Sequence, residues 1–148
     1  MDNEVENRRF AERRDHFRGS AKVHLRYLHF EQFEQQINVP SQAVFLDQKN
    51  IARLEKIFDI EGCLRLDPEH RIPVLIDDGD LKASLHQANL ASAELFTSNI
   101  PPALPFPENY RLICLHGRHR IAAAQNFLLA GDKWWTVDFY SESRYFGV

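Results

Sequence analysis

This chain points to an α+β domain with a small mixed β-sheet flanked by helices, and three observations lead there. Stretches that alternate apolar and polar residues, as half-buried strands do, are interspersed with stretches whose apolar residues recur at helical spacing. Some of these are joined by short links and others by a long crossing segment rich in proline. The 148 residues are 44% hydrophobic and 11% aromatic, enough to bury one sizeable core and cramped for two.

The elements follow in order. Residues 1–20 set five arginines, Arg8, Arg9, Arg13, Arg14 and Arg18, against Asp2, Glu4, Glu6, Glu12 and Asp15, with almost nothing apolar. They read as a charged arm, frayed or a solvated helix, ahead of a single domain over residues 21–148. Its cancelling charges argue against a nucleic-acid arm. In residues 22–30, Val23, Leu25 and Tyr27 alternate with His24 and Arg26, which predicts the first strand and makes His24 and His29 pleat residues rather than ligands. Asp47 is a candidate N-cap for an amphipathic helix through Ile51, Leu54, Ile57 and Phe58 that ends before Gly62.

Residues 71–77 predict a second strand, with Pro73 marking a sheet edge or a strand start. Asp77-Asp78-Gly79-Asp80 is a turn able to cap the loosely helical residues 81–96. Pro101, Pro102, Pro105 and Pro107 then break regular structure and predict a rigid connector, with a lid or a docking segment as the functional alternatives. A strand from Tyr110 stops at Gly117, and a helix from Arg118 to about residue 130 turns Ile121, Ala124, Phe127 and Leu128 inward, with Gly131 as its stop. Residues 133–140 form an aromatic-rich closing strand. Adjacent strand residues face opposite sides, so of Trp134 and Trp135 one is core and the other covers a helix or a partner, base stacking being the weaker alternative.

Chemistry concentrates where the strand from Tyr110 hands over to the helix, at His116, Gly117, Arg118, His119 and Arg120. A helix N-terminus already carries partial positive charge and unpaired amide donors, so three basic residues in its first turn repel it unless an anion is present. Phosphate is the usual anion at such a turn. These five residues are therefore candidate phosphate ligands, against the alternative of surface charge pairing with acids such as Asp138. His116 and His119 lie three apart but lack a third ligand of suitable spacing, so no metal site is expected. The formal charge of −3 and pI near 6.1 supply no global field for nucleic acid, so any such contact needs a local patch. Two cysteines, Cys63 and Cys114, without zinc-type spacing or a secretory leader suggest an intracellular chain, cytoplasmic or nuclear. No apolar run approaches the roughly 20 residues of a membrane span, and no membrane partner is expected.

The string Gly117-Arg118-His119-Arg120-Ile121-Ala122-Ala123 resembles the GxRRxxA element of the ParB N-terminal domain and the GCHR element of sulfiredoxin, two members of one superfamily. The layout ahead of it is also similar: a strand, a helix ending at Ile60-Glu61-Gly62, and an Ile-Pro-Val strand at Ile72-Pro73-Val74. The resemblance covers about residues 23–140. A closer match is to a group of fungal proteins with a ParB-like domain, some carried by mobile elements, through Glu61-Gly62-Cys63-Leu64-Arg65-Leu66-Asp67-Pro68, Cys114-Leu115-His116-Gly117-Arg118-His119-Arg120 and Trp134-Trp135-Thr136-Val137-Asp138.

The resemblance implies a nucleoside triphosphate ligand, with magnesium as its companion ion, and NTP hydrolysis or phosphoryl transfer as the reaction. Glu61 is then the candidate carboxylate, beside Asp67, Asp77 and Asp78, and His119 the candidate proton carrier. The departures bear on this. Arg118 stands where sulfiredoxin has its catalytic cysteine, which argues against sulfinic acid reduction, and Cys114 lies inside the strand as core. The asparagine-rich third ParB element and the helix-turn-helix domain have no counterpart in residues 1–148. Two other functions stay open: a non-catalytic adaptor binding protein or nucleic acid, and a ParB-like nuclease acting on DNA.

Overall fold

The computed structural model describes residues 16–30, 48–62, 64–97 and 99–142, the Glu61 side chain excepted. The arm over residues 1–15, the Asp47 cap and Cys63 lie outside these. The elements are β1 (Phe17–His24), β2 (Leu28–Phe30), α1 (Gln48–Glu61), β3 (Ile72–Ile76), α2 (Asp78–Ala88), α3 (Glu94–Thr97), β4 (Leu112–Cys114), α4 (Arg118–Phe127) and β5 (Trp134–Ser141). Short 3₁₀ turns occupy Leu25–Tyr27, Pro68–His70 and Ala130–Asp132. The five strands form one mixed sheet in the order β1-β5-β3-β4-β2, so the α+β expectation holds. Among the described residues no helix is long and apolar enough to cross a membrane.

The two edge strands are neighbours in sequence. β1 pairs antiparallel with β5, β2 pairs parallel with β4, and only Leu25–Tyr27 separates them. They are thus two halves of one bent segment, and the sheet curls until each half has a partner. The single strand expected over residues 22–30 is corrected accordingly. The break is local: His24 Nδ1 accepts the Arg26 amide and the Leu28 amide donates to the Leu25 carbonyl, closing a 3₁₀ turn that still buries Leu25 and Tyr27. β1 also starts earlier than expected, so residues 17–20 belong to the sheet rather than to the arm.

Alternation positions the core. Ala21 and Val23 of β1, Ile72, Val74 and Ile76 of β3, and Trp135, Val137 and Phe139 of β5 are each at most 1% exposed and meet Phe58 of α1 and Ile121, Ala123 and Ala124 of α4. β3 is central, not an edge. Its Pro73 is tolerated because the pairing with β4 covers only Val74 and Leu75, while the Pro73 carbonyl accepts the Leu115 amide just past the end of β4. Asp77 caps α2 as expected, accepting the Gly79 and Asp80 amides, but the helical stretch divides at Asn89, which is left-handed at φ 58°.

The proline segment is irregular, as expected of a rigid connector, and it is packed into the fold: Ala103 bridges Lys22 on β1, Leu104 and Phe106 are buried, and the Tyr27 hydroxyl donates to the Phe106 carbonyl at 2.9 Å. One further expectation is corrected. α4 ends at Phe127, not near residue 130, because Leu128 turns extended to bury its side chain and the chain re-coils through Ala130–Asp132. Gly131 is therefore no helix stop.

Candidate functional site

The turn between β4 and α4 is built by steric need. Gly117 is the N-cap at φ 100° and ψ 17°, a left-handed geometry costly for any other residue type, and a Cβ there would run into Cδ1 of the fully buried Ile72. No side chain caps the helix, and its first turn holds no acid. The combination the sequence suggested is thus in place: strand, left-handed glycine, then three basic residues at a helix N-terminus. His116 is exposed just ahead of it, and Arg118, His119 and Arg120 are half-buried.

The basic residues do not all gather at that turn. Arg118 sets its guanidinium 5.5 Å from the ring centre of Phe30, the last residue of β2. Arg120, two residues on and so roughly 200° around the helix, turns the other way. Its Nη1 donates to the His70 carbonyl at 3.3 Å, the same oxygen that takes the Trp135 indole N–H at 2.8 Å. Burial alone pulls its pKa below the ordinary arginine value.

Arg120 enters a cavity of about 150 Å³ between α1, α4 and the start of β5, lined by Leu54, Ile57, Phe58, Gly62, Leu64, His70 and Trp135. The sequence reading missed this cavity. A signal was present: Arg120 shares the i, i+4, i+7 stripe of Ala124 and Phe127, and Phe127 packs edge-on against Phe58 at 5.6 Å, so this stripe faces α1.

Asp138 is not a partner of the α4 arginines. Its carboxylate accepts the Ser20 hydroxyl at 2.5 Å and lies 3.9 Å from Nη1 of Arg71. The other candidate carboxylates do not converge either. Asp67 caps the 3₁₀ turn Pro68–His70, Asp77 caps α2, and Asp78 pairs with Arg18 at 3.2 Å. Among the described residues no group of three or more His, Cys, Asp or Glu could hold a metal ion. These carboxylates therefore do not fit a magnesium site, and we route no step through one. Glu61 ends α1, and its side chain is outside the described residues.

The remaining candidates have structural roles. Cys114 is buried, and burial pushes its thiol up to about 12, which keeps it protonated and unreactive. Trp135 is core at 1% exposure. Trp134 on the opposite face is covered by the Arg65 guanidinium, 3.7 Å from its ring centre, while its indole N–H donates to Asp132. Trp135 is too deeply buried to stack a base, and Trp134 carries Arg65 and Lys22 over its ring.

No curated protein and no solved structure matches the chain. One family profile does, over residues 16–145, which runs from the residue before β1 to just beyond β5. The chain accordingly belongs to the family described as the N-terminal domain of a protein of unknown function, DUF3723.

Proposed function

We infer that the chain binds a phosphorylated ligand, a nucleotide in the reading favoured by the ParB/sulfiredoxin-like motif, at the turn from β4 to α4. One observation carries this: α4 begins on a left-handed glycine with no side-chain cap and no acid, and follows it with Arg118, His119 and Arg120. The uncapped amides of the helix end and the basic side chains beside it are the donors a phosphate takes. Gly117 lets the backbone approach, Arg118 supplies charge, His119 supplies a ring donor, and His116 is exposed one residue before the glycine. Arg120 faces the adjoining cavity instead. We assign no reaction step, since Asp67, Asp77 and Asp78 are occupied in caps and a pair away from the turn.

Thermal unfolding of the wild type and Arg118→Ala against pyrophosphate, ATP, CTP and GTP tests this, because a ligand of the folded state raises its stability as ln(1 + [L]/Kd). A shift for pyrophosphate and at least one nucleotide, lost in Arg118→Ala, is the expected result. No shift with any of them in the wild type would sink the reading. Gly117→Ala is not a clean test, because it strains the fold whatever it does to a ligand.

The adaptor reading has one observation in its favour. Ile60 at 72%, Leu64 at 44%, Leu115 at 50% and Leu129 at 80% exposure place large apolar side chains in water at the ends of α1, β4 and α4. Partner binding indifferent to nucleotide, and lost on replacing these residues by serine, would favour it.

A further inference from the structure

Arg120 brings a half-buried cation to the wall of the cavity, with no acid beside it among the described residues. Its walls are mostly aliphatic and aromatic, yet a guanidinium with five donors is drawn into it. Among the described residues that guanidinium makes one hydrogen bond, at 3.3 Å, to a carbonyl already used by Trp135 at 2.8 Å. Among the described residues the ion pairs are Arg18 with Asp78, Arg65 with Asp132 and Arg71 with Asp138, and none includes Arg120. Partial burial of a cation away from any anion carries a desolvation cost, and an apolar residue of similar length would pack this wall at lower cost. An arginine at such a place, its remaining donors open to what enters the cavity, fits a ligand that supplies an anion.

Shape narrows the ligand class. A cavity near 150 Å³ takes about one six-membered ring. Leu54, Ile57, Phe58 and Trp135 suit a flat or compact apolar body, and the guanidinium fork suits a carboxylate held through two parallel bonds. We propose that the cavity between α1, α4 and β5 is a binding site for a small organic carboxylate carried on a single ring or an apolar body of that size, with Arg120 as its anion anchor. This goes beyond the phosphate reading, since it uses the opposite side of α4 and a different arginine, and either can fail alone.

Benzoate is the probe, with benzamide as its neutral isostere and acetate as the anion without a body. Each is titrated by calorimetry and thermal unfolding, up to about 10 mM, into the wild type, Arg120→Met and Arg118→Ala. Benzoate should bind the wild type and Arg118→Ala alike, with affinity at least about tenfold above benzamide and acetate, and lose about tenfold or more in Arg120→Met. Arg120→Met keeps the side-chain volume and removes the buried charge, so it is expected to fold, and its melting curve reports this independently. Absence of benzoate binding, equal binding of benzamide, or undiminished binding by folded Arg120→Met would each overturn the proposal. A pyrophosphate shift in the same Arg120→Met protein reports separately on the turn at Gly117.

Discussion

Arg71 and Arg120 are both drawn partly out of water beside the same sheet, and the chain treats them differently. Arg71, just ahead of β3, donates to the Ser20 hydroxyl at 3.2 Å and lies 3.9 Å from Asp138, while Ser20 itself donates to Asp138 at 2.5 Å. Burial raises the Asp138 carboxyl above its usual range, with the Ser20 bond and the Arg71 charge pulling it back. Among the described residues Arg120 has a carbonyl and no acid. The first guanidinium stands beside an acid inside the fold, although its Nε is buried without a hydrogen-bond partner, and reads as structure. The second is left to water or to a ligand, which is the contrast the proposed carboxylate site rests on.

Removing the acid from the matched set should have the largest effect. Asp138→Ala strands Arg71 and Ser20 and should cost about 2–3 kcal/mol, below the full range for buried pairs because both charged side chains keep some water contact. Urea unfolding reads this directly, and a loss under about 0.5 kcal/mol would break the comparison. Arg120→Met should instead change stability by less than about 1 kcal/mol, in the direction of gain. A cost equal to that of Asp138→Ala would make Arg120 structural too.

The smallest effect is expected at His24, which is matched only when neutral. Its Nδ1 accepts the Arg26 amide at 3.0 Å, and burial, then Arg26 and Lys133, hold its pKa below 6.5. Between that lowered folded value and 6.5 the unfolded chain binds more protons, so stability rises with pH through this window and is lost as the solution is acidified below 6.5. His24→Asn keeps an acceptor that does not titrate and should flatten the slope. An unchanged slope in the variant would remove His24 from the explanation.

Local rules carried most of what could be read from residues alone. The helical spacing of Ile51, Leu54 and Phe58, the Asp77 cap, the strands β3 and β5 and the Gly117 turn all appear where the pattern put them. What escaped was non-local. The 3₁₀ turn Leu25–Tyr27 buries Leu25 and Tyr27 two residues apart, so it imitates strand alternation, and only the separate pairings of β1 and β2 show the break. The proline segment hid its role because Leu104 and Phe106 bury only once β1 is present to bridge Ala103. At the site, the run of basic residues was legible. Its division was not, since it depends on α1 standing beside α4 to form the cavity that Arg120 enters.

One spectrum tests the division of labour on α4 most directly: a ¹H–¹⁵N correlation map of the full chain titrated separately with pyrophosphate and with benzoate. Pyrophosphate should move the backbone amides of Gly117, Arg118 and His119 and leave the Trp135 indole signal in place. Benzoate should move the Trp135 indole, which shares the His70 carbonyl with Arg120, and spare the Gly117 amide. Both ligands moving one common set of signals, or neither moving any, would contradict a helix that presents phosphate chemistry at its tip and carboxylate chemistry on its flank.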